Sequence, residues 1–167
     1  MNKVKDGKMP NLQTIGTWMK RDVVHVHVSA SIREAATVMV EKKVGTLPVV
    51  DETGMLVGCL SMASVISIFL PDVVSLLADI DFVKDFGALK TPLKEDLERA
   101  ETLSVSDVMR APAVAVDEDC SLLRALTMMD NHNVRDLPVV KDGKLVGIAS
   151  RVDIGRAFLS DWLKTVS

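Results

Sequence analysis

Hydrophobic and polar residues follow two different periods in the first part of the chain. Between residues 23 and 28, three valines alternate with two histidines, which is the period of two expected of a half-buried strand. From Ile32 to Val40, apolar residues instead recur every three or four positions, as on one face of an amphipathic helix. Either Ser29 or Ser31 can cap this helix. The pattern therefore predicts a strand that leads into a helix.

Two apolar runs separated by a turn follow this helix, and the same arrangement returns near the end of the chain. The later copy consists of Leu137–Val140, the dipeptide Asp142–Gly143 and the run Leu145–Ser150. Asp-Gly between two runs rich in β-branched residues is the strongest short-range signal of a β-hairpin. The earlier copy, over 46–60, has one more residue in its turn. Each copy therefore predicts two antiparallel strands.

A serine stands at the end of each hairpin, where a helix is predicted to begin. In the later copy Ser150 is followed three positions on by Asp153. At this spacing a hydroxyl and a carboxylate can close a capping box around the first helical turn. In the earlier copy Ser61 is followed by Ser64. The first predicted helix runs over 62–70 and is interrupted by Pro71. The second runs from 151 to about 163.

The two hairpins belong to a tandem repeat with an offset of 90 positions, which one extra residue in the first hairpin later shifts by one. Each copy has the order β-α-β-β-α. One such unit leaves a face of its small sheet uncovered, so two units packed sheet against sheet are expected. The pairs that carry the repeat are Met19 and Met109, Val24 and Val114, Ser31 and Ser121, Met39 and Met129, and Leu47–Val50 and Leu137–Val140.

The chain accordingly divides into a lead-in of residues 1–11, a first repeat of 12–70, a connector of 71–104 and a second repeat of 105–163. The connector has no counterpart within the repeats, and its apolar residues at helical spacing predict helices with an acidic face. The predicted fold class is α/β, of the α+β kind. The apolar positions are Val73, Val74, Leu76, Leu77, Ile80, Leu93, Leu97 and Ala100, and the acidic positions are Asp79, Asp81 and Asp85.

Composition excludes several classes of function. The chain is 48% hydrophobic and 26% charged, which is typical of a globular protein and not of a disordered one. A net charge of −3, few aromatic residues and no tyrosine disfavour nucleic-acid binding. No signal-peptide pattern and no apolar run of membrane-spanning length are visible. Cys59 and Cys120 lie outside any C-x-x-C spacing. We therefore expect reduced thiols in a cytoplasmic protein without nucleic-acid or membrane partners.

The motifs, in this order and twice, resemble the cystathionine-β-synthase (CBS) domain, here as the tandem pair called a Bateman module. They are a strand after a methionine, a helix, V-x-x-L-P-V-V, a glycine turn and L-V-G-h-h-S-x-x-D. The resemblance covers roughly 12–70 and 104–163, and the first copy departs from the pattern only where Ser64 replaces the final aspartate. It implies repeats packed about a pseudo-two-fold axis with two clefts between them, which commonly bind AMP, ADP, ATP or S-adenosylmethionine.

The resemblance also implies which residues bind. Each cleft combines the S-x-x-D segment of one repeat with the first strand and the V-x-x-L-P segment of the other. Asp153 would accept the ribose hydroxyls, and Ser150 with the helix N-terminus would suit a phosphate. The predicted binding residues are Asp22, Val23, Val24, Val44, Gly45, Thr46, Leu47, Ser150, Arg151 and Asp153. The second cleft would contain Ser61, Ser64, Ala111, Pro112, Ala113, Val134, Arg135 and Asp136.

The second cleft is expected to be weak or empty, because a serine at position 64 cannot give a ribose diol the ionic, bidentate bond of a carboxylate. Simpler explanations exist for other candidates. A plain capping box needs the same Ser150 and Asp153, and Gly45 also fits the end of the preceding helix. His25 and His27 share a strand face without a third ligand, so we favour a solvated face over a metal site.

These observations predict a regulatory module and not an enzyme, since no P-loop, nucleophile elbow or catalytic triad order is present. The module would sense an adenosine-containing ligand, require no cofactor and act on a partner protein. A second copy in a homodimer is the simplest partner, because the apolar helices after the hairpins would otherwise be exposed. The alternative is a dimerisation or interaction module that binds no ligand and acts through the connector helices.

Overall fold

A computed structural model describes residues 14–69 and 94–165. The fold is mixed α+β with two three-stranded sheets, as the sequence predicts. In chain order the elements are α1 (Ile15–Trp18), β1 (Val26–His27), α2 (Ile32–Lys42), β2 (Thr46–Val50), β3 (Leu56–Ser61), α3 (Met62–Phe69), α4 (Lys94–Thr102), α5 (Val105–Val108), β4 (Val116–Asp117), α6 (Leu122–Asn131), β5 (Asp136–Lys141), β6 (Lys144–Ser150) and α7 (Arg151–Thr165).

The chain forms two compact units that do not coincide with the sequence repeats. Of the described residues, the terminal unit contains 14–23 and 114–165, and the central unit contains 24–69 and 94–113. Each unit therefore takes its short first helix from the other repeat: α1 lies in the terminal unit and α5 in the central unit.

The central unit is built on the sheet β1-β2-β3. β1 runs parallel to β2, which pairs antiparallel with β3, so the predicted hairpin is confirmed. Ser31 is the residue that caps α2, and it forms a full capping box with Glu34. Apolar side chains of the sheet and of α2, α3, α4 and α5 make one core. Its buried members are Val26, Ile32, Ala35, Met39, Leu47, Val49, Leu60, Val65, Ile68, Ala100 and Val105.

The terminal unit repeats this arrangement with the sheet β4-β5-β6. β4 is parallel to β5, and β5 and β6 form the predicted Asp-Gly hairpin, in which Asp142 and Gly143 both have positive φ. Met129 is fully buried in the core of this unit. The buried members of this core are Ile15, Met19, Val116, Leu122, Ala125, Met129, Leu137, Val139, Ala149, Ile154 and Ala157.

Main-chain hydrogen bonds fix each exchanged helix in its unit. At the start of α1, the N–H of Ile15 donates to the Cys120 carbonyl at 2.8 Å. After α1, Lys20 and Ile148 exchange two N–H···O bonds of 2.9 Å each, so this segment lies along the edge of β6. In the central unit, Cys59 and Arg110 form the equivalent pair of bonds at 3.0 and 2.9 Å.

A methionine packs on a strand glycine at each of these edges. A Cβ atom placed on Gly147 would lie 2.2 Å from Sδ of Met19 and 2.8 Å from its Cγ. In the central unit a Cβ on Gly58 would lie 2.6 Å from Sδ of Met109. Since Cβ atoms do not approach other atoms this closely, the methionine can occupy its place only where the strand residue has no side chain.

The first strand of each repeat is shorter than predicted. The alternating pattern predicts strands over 23–28 and 113–116, whereas the ladders contain only Val26–His27 and Val116–Asp117. The chain passes from one unit to the other just before these pairs, between Val23 and Val24 and again between Ala113 and Val114, so the preceding residues leave the sheet.

Helical spacing also misplaces Val40, which the pattern puts on the buried face of α2 but which is 71% exposed. Of the connector, α4 is helical as predicted, with Ala100 buried and Leu97 partly exposed. The predictions for Val73 to Leu93 concern positions outside the described residues.

Candidate functional site

Ser150 lies where β6 ends and α7 begins, and both neighbouring strands hold it in place. Across the hairpin it pairs with Asp136, the first residue of β5. The next residue, Arg151, donates its backbone N–H to the carbonyl of Arg135 at 3.3 Å. The first turn of α7 is thus fixed to the sheet.

Asp153 and Ser150 form the predicted capping box. The backbone N–H and the hydroxyl of Ser150 donate to Oδ2 of Asp153 at 2.9 and 2.7 Å, and the Asp153 N–H donates back to the Ser150 hydroxyl at 3.3 Å. Both bonds to the carboxylate use Oδ2, so Oδ1 takes no part in the box. Asp153 is only 5% exposed, and among the described residues it is the one polar or charged residue that is buried. The box therefore holds the Asp153 carboxylate in one orientation beside the N-terminus of α7.

Arg151 lies outside this box and forms an ion pair with another element. Its Nη1 is 2.5 Å from Oδ1 of Asp130, which lies in the last turn of α6. Both side chains are partly exposed. The guanidinium group nearest the turn along α7 is therefore already paired with a carboxylate.

The equivalent turn of the first repeat has the same geometry without the charge. The hydroxyl oxygens of Ser61 and Ser64 are 2.8 Å apart, and the Ser64 N–H donates to Oγ of Ser61 at 3.1 Å. The first residue of α3, Met62, donates its N–H to the carbonyl of Gly45 at 2.8 Å, just as Arg151 does to Arg135. The first turn of α3 contains no acidic residue.

The structure brings part of each predicted residue set into one unit. The terminal unit contains Asp22, Val23, Ser150, Arg151 and Asp153, and the Lys20–Ile148 bonds bring the chain just before Asp22 beside the strand that ends at Ser150. The remaining members of the first set, Val24 and Val44–Leu47, lie in the central unit.

The second set divides in the same way. Ser61, Ser64 and the segment 111–113 lie in the central unit, where the Arg110–Cys59 bonds bring that segment beside β3. Val134, Arg135 and Asp136 lie in the terminal unit. Sequence reasoning missed Lys20 and Arg110, since their bonds to the strands exist only because α1 and α5 are exchanged.

Gly45 does not end α2, so that alternative explanation is wrong. The helix ends at Lys42, and its C-cap residue is Lys43. Lys43 has the left-handed conformation (φ 54°, ψ 45°), and its N–H donates to the Met39 carbonyl. Gly45 is exposed, and a Cβ placed on it would have no heavy atom within 4 Å. The space beside Gly45 is therefore open in its own unit.

The ring of His27 contacts a neighbouring hydroxyl group. Nδ1 of His27 lies 2.7 Å from Oγ of Ser29, and no group of three or more potential ligands (histidine, cysteine, aspartate or glutamate) is found among the described residues. Burial raises the pKa of the Cys120 thiol, which disfavours the reactive thiolate.

Within residues 14–69 and 94–165, two apolar surfaces are exposed. In the central unit an open groove of about 530 Å³ lies between α2, α4 and the end of α3, beside the Arg33–Glu101 ion pair. In the terminal unit, α7 exposes large apolar side chains, and Trp162 is 61% exposed. The others on α7 are Val152, Phe158, Leu159 and Leu163. Over the described ranges, the helices are too short or too polar to cross a bilayer.

Comparison with known proteins gives a consistent result. The family model for the CBS domain matches residues 15–71 and 105–160. The YlbB protein of Bacillus subtilis is 30% identical over 136 residues, which are 81% of this chain and 76% of that protein. The chloroplastic CBS domain-containing protein CBSX2 of Arabidopsis thaliana is 32% identical over 158 residues, which cover 87% of this chain but 63% of that protein.

Solved structures agree with the sequence relatives. The crystal structure of CBSX2 in complex with AMP is 28% identical, has a TM-score of 0.67, and covers 89% of this chain and 98% of that one. Similarity extends to an enzyme, the L-aspartate semialdehyde sulfurtransferase of Methanocaldococcus jannaschii, at 25% identity, but the matched residues are only 22% of its length.

Proposed function

Because the chain belongs to the CBS-domain family, as a tandem pair, we propose that it is a regulatory ligand-binding module for an adenosine-containing nucleotide. The observation that carries the proposal is the buried carboxylate of Asp153, held by Ser150 at the start of α7. The CBSX2 complex with AMP supports adenosine as the common part of the ligand.

Asp153 suits a ribose diol. Its Oδ2 is fixed by two hydrogen bonds from Ser150, and Oδ1 lies outside the box. An acceptor whose rotamer is already fixed loses little entropy when a ligand binds, and an ionised acceptor forms stronger bonds to hydroxyl groups than a neutral one. The nucleoside would therefore be held through its ribose hydroxyls at Oδ1.

The start of α7 suits a phosphate. Backbone N–H groups at a helix N-terminus and the helix dipole both favour an anion. Ser150 places its hydroxyl at this end, and Arg151 is the first residue of the helix. We assign the remaining contacts to the other predicted residues, namely Asp22, Val23, Val24, Val44, Gly45, Thr46 and Leu47. The open space at Gly45 is compatible with a flat base.

The set around Ser61 and Ser64 is proposed as a weaker site or none. Its two hydroxyls can donate and accept, but the turn has no carboxylate for a diol. One ligand per chain is therefore expected.

Isothermal titration with AMP, ADP, ATP and S-adenosylmethionine tests the assignment. Asp153→Asn keeps the size of the side chain and removes its charge. A hydrogen bond to a charged group is worth about 1.5–3 kcal/mol, so affinity should fall by roughly 10- to 100-fold. The matched control is Ser64→Ala at the equivalent position of the first repeat, which should bind as the wild type does. Equal affinity of folded Asp153→Asn, or no binding of any adenosine ligand by the wild type, would contradict the proposal.

A second candidate function is an interaction module that binds no ligand, and the exposed apolar side chains of α7 favour it. In both cases we propose a homodimer in which a second copy covers Phe158, Leu159 and Trp162, because a contiguous apolar patch is uncommon on a monomer. The two functions differ in the titration: only the sensor binds a nucleotide. The cytoplasmic location, the regulated partner protein and the role of the connector stay predictions from the sequence.

A further inference from the structure

The Asp130–Arg151 ion pair lies one residue from Ser150, and both of its charges oppose the preference of helix ends. Acidic side chains are favourable in the first turn of a helix and basic ones in the last. Glu34 and Lys42 of α2 follow this rule, and so do Asp153 and Lys164 of α7. Arg33 and Glu101 oppose it and form an ion pair in the central unit, away from the Ser61 turn. Asp130, in the last turn of α6, and Arg151, the first residue of α7, both oppose it. A cation at the start of a helix is useful when an anion is bound there, and the carboxylate beside it then reduces its effect.

The two repeats supply an internal comparison. The residues equivalent to Asp130 and Arg151 in the first repeat are Val40 and Met62, both uncharged. The ion pair therefore occurs in the repeat that keeps its S-x-x-D carboxylate and is missing from the repeat that has Ser64. Within this chain, the pair accompanies the carboxylate that we assign to ligand binding.

From this placement we infer that Asp130 is a specificity-determining residue, which shifts the preference of the proposed site towards adenosine derivatives with at most one phosphate. The inference rests on the proposed function of the Ser150 turn. Asp130 neutralises the guanidinium of Arg151, so a ligand phosphate at the start of α7 meets an ion pair and not a free cation. Two further carboxylates belong to residues near Ser150: Asp153 in the box and Asp136, which pairs with Ser150 across the ladder.

The physical consequence depends on ligand charge. Coulomb energy scales with the product of the charges. Pairing with Asp130 therefore weakens the attraction of Arg151 for a triphosphate more than for a monophosphate, and it does not change the binding of uncharged adenosine. The carboxylates of the turn repel additional phosphates at the same time. The wild type should therefore bind AMP more tightly than ADP or ATP.

The test measures dissociation constants for adenosine, AMP, ADP and ATP without divalent cations. In Asp130→Asn, Arg151 loses its compensating charge. Because exposed ion pairs are worth little, the gain is modest: about fivefold tighter for ATP, about twofold for AMP and unchanged for adenosine. The matched control is Asp161→Asn, which removes one negative charge from α7 ten residues after Arg151, roughly 15 Å along the helix. Its ligand affinities should equal those of the wild type, because that distance exceeds a Debye length of about 8 Å in physiological salt.

A second variant shows whether Asp130 acts through Arg151. In an Arg151→Gln background, the additional Asp130→Asn change should give no further gain for ATP. Equal changes for all four ligands, including adenosine, would indicate a structural effect and overturn the inference. Binding of adenosine ligands with an ATP-to-AMP ratio that Asp130→Asn leaves unchanged would overturn the inference alone. Failure of the wild type to bind any of them would overturn the proposed function with it.

Discussion

Gly147→Ala tests the exchange of the first helices, because Gly147 is where α1 docks on β6. The new methyl group would begin 2.2 Å from Sδ of Met19 and 3.2 Å from the carbonyl oxygen of Lys20. That carbonyl is held by its hydrogen bond from Ile148. The sulfur must therefore move by about 1.5 Å to reach a van der Waals distance of roughly 3.5–4.0 Å. This movement takes place inside a core in which Met19 is only 8% exposed.

Overpacking of this kind costs about 1–3 kcal/mol. Met19→Ala on its own removes a buried side chain and should cost about 2–5 kcal/mol. In the double variant the alanine methyl group at 147 occupies part of the space that Met19 has left. The combined loss of unfolding free energy should therefore be smaller than the sum of the single losses by about 1–2 kcal/mol.

Guanidinium denaturation of the wild type, the two single variants and the double variant supplies the four free energies. Gly155→Ala is the matched control, because a Cβ on Gly155 meets nothing within 4 Å and the residue lies inside α7. That change should stabilise the chain by about 0.5–1 kcal/mol. Additive losses at 19 and 147, within about 0.5 kcal/mol, would refute the contact and with it the docking of α1 on β6.

Three further outcomes are expected. Hydrogen bonds from Ser31 and Ser104 lower the pKa of Glu34 and Asp107 below their usual 4.5 and 3.8. The stability that these boxes provide is therefore present at neutral pH and is lost as the pH falls through those lowered values. In urea denaturation, the decrease in unfolding free energy from pH 7 to pH 3 should be smaller for Glu34→Gln than for the wild type. Residues 105–165 alone lack α1, whose Ile15 is fully buried in the terminal core, and should give a less cooperative thermal transition than residues 105–165 mixed with a peptide of residues 14–23. Sedimentation should show a dimer that Trp162→Glu dissociates. Val40→Glu, at an apolar position of α2 that is exposed to a similar degree, should leave the dimer intact.

The features that the sequence predicted correctly are local ones. The Asp142–Gly143 turn, the Ser31 cap and the Ser150–Asp153 box each join residues no more than three positions apart. Their geometry follows from backbone preference and from the reach of a short side chain, so the residue types at that spacing are sufficient. The repetition of these motifs was sufficient to identify the CBS-domain family.

Contacts between distant parts of the chain were not accessible in this way. Asp130 and Arg151 are 21 positions apart and meet because α6 and α7 pack on the same sheet. The first strands of the repeats are short because the chain passes from one unit to the other just before them. The alternation of apolar and polar residues over 23–28 and 113–116 does not show where the chain changes units.

Local sequence patterns specify two β-α-β-β-α repeats, their hairpins, their helix caps and the carboxylate at Asp153 that the first repeat lacks. The docking of the first helices depends instead on contacts between distant parts of the chain. Met19 requires a strand position without a side chain, and both Gly58 and Gly147 offer one. Because the two repeats have the same pattern, the local sequence does not indicate which of the two glycines α1 packs on. The choice of Gly147 follows from the packing of Ile15 and Met19 in the terminal core and from the bonds of Lys20 to Ile148, which no single stretch of sequence contains.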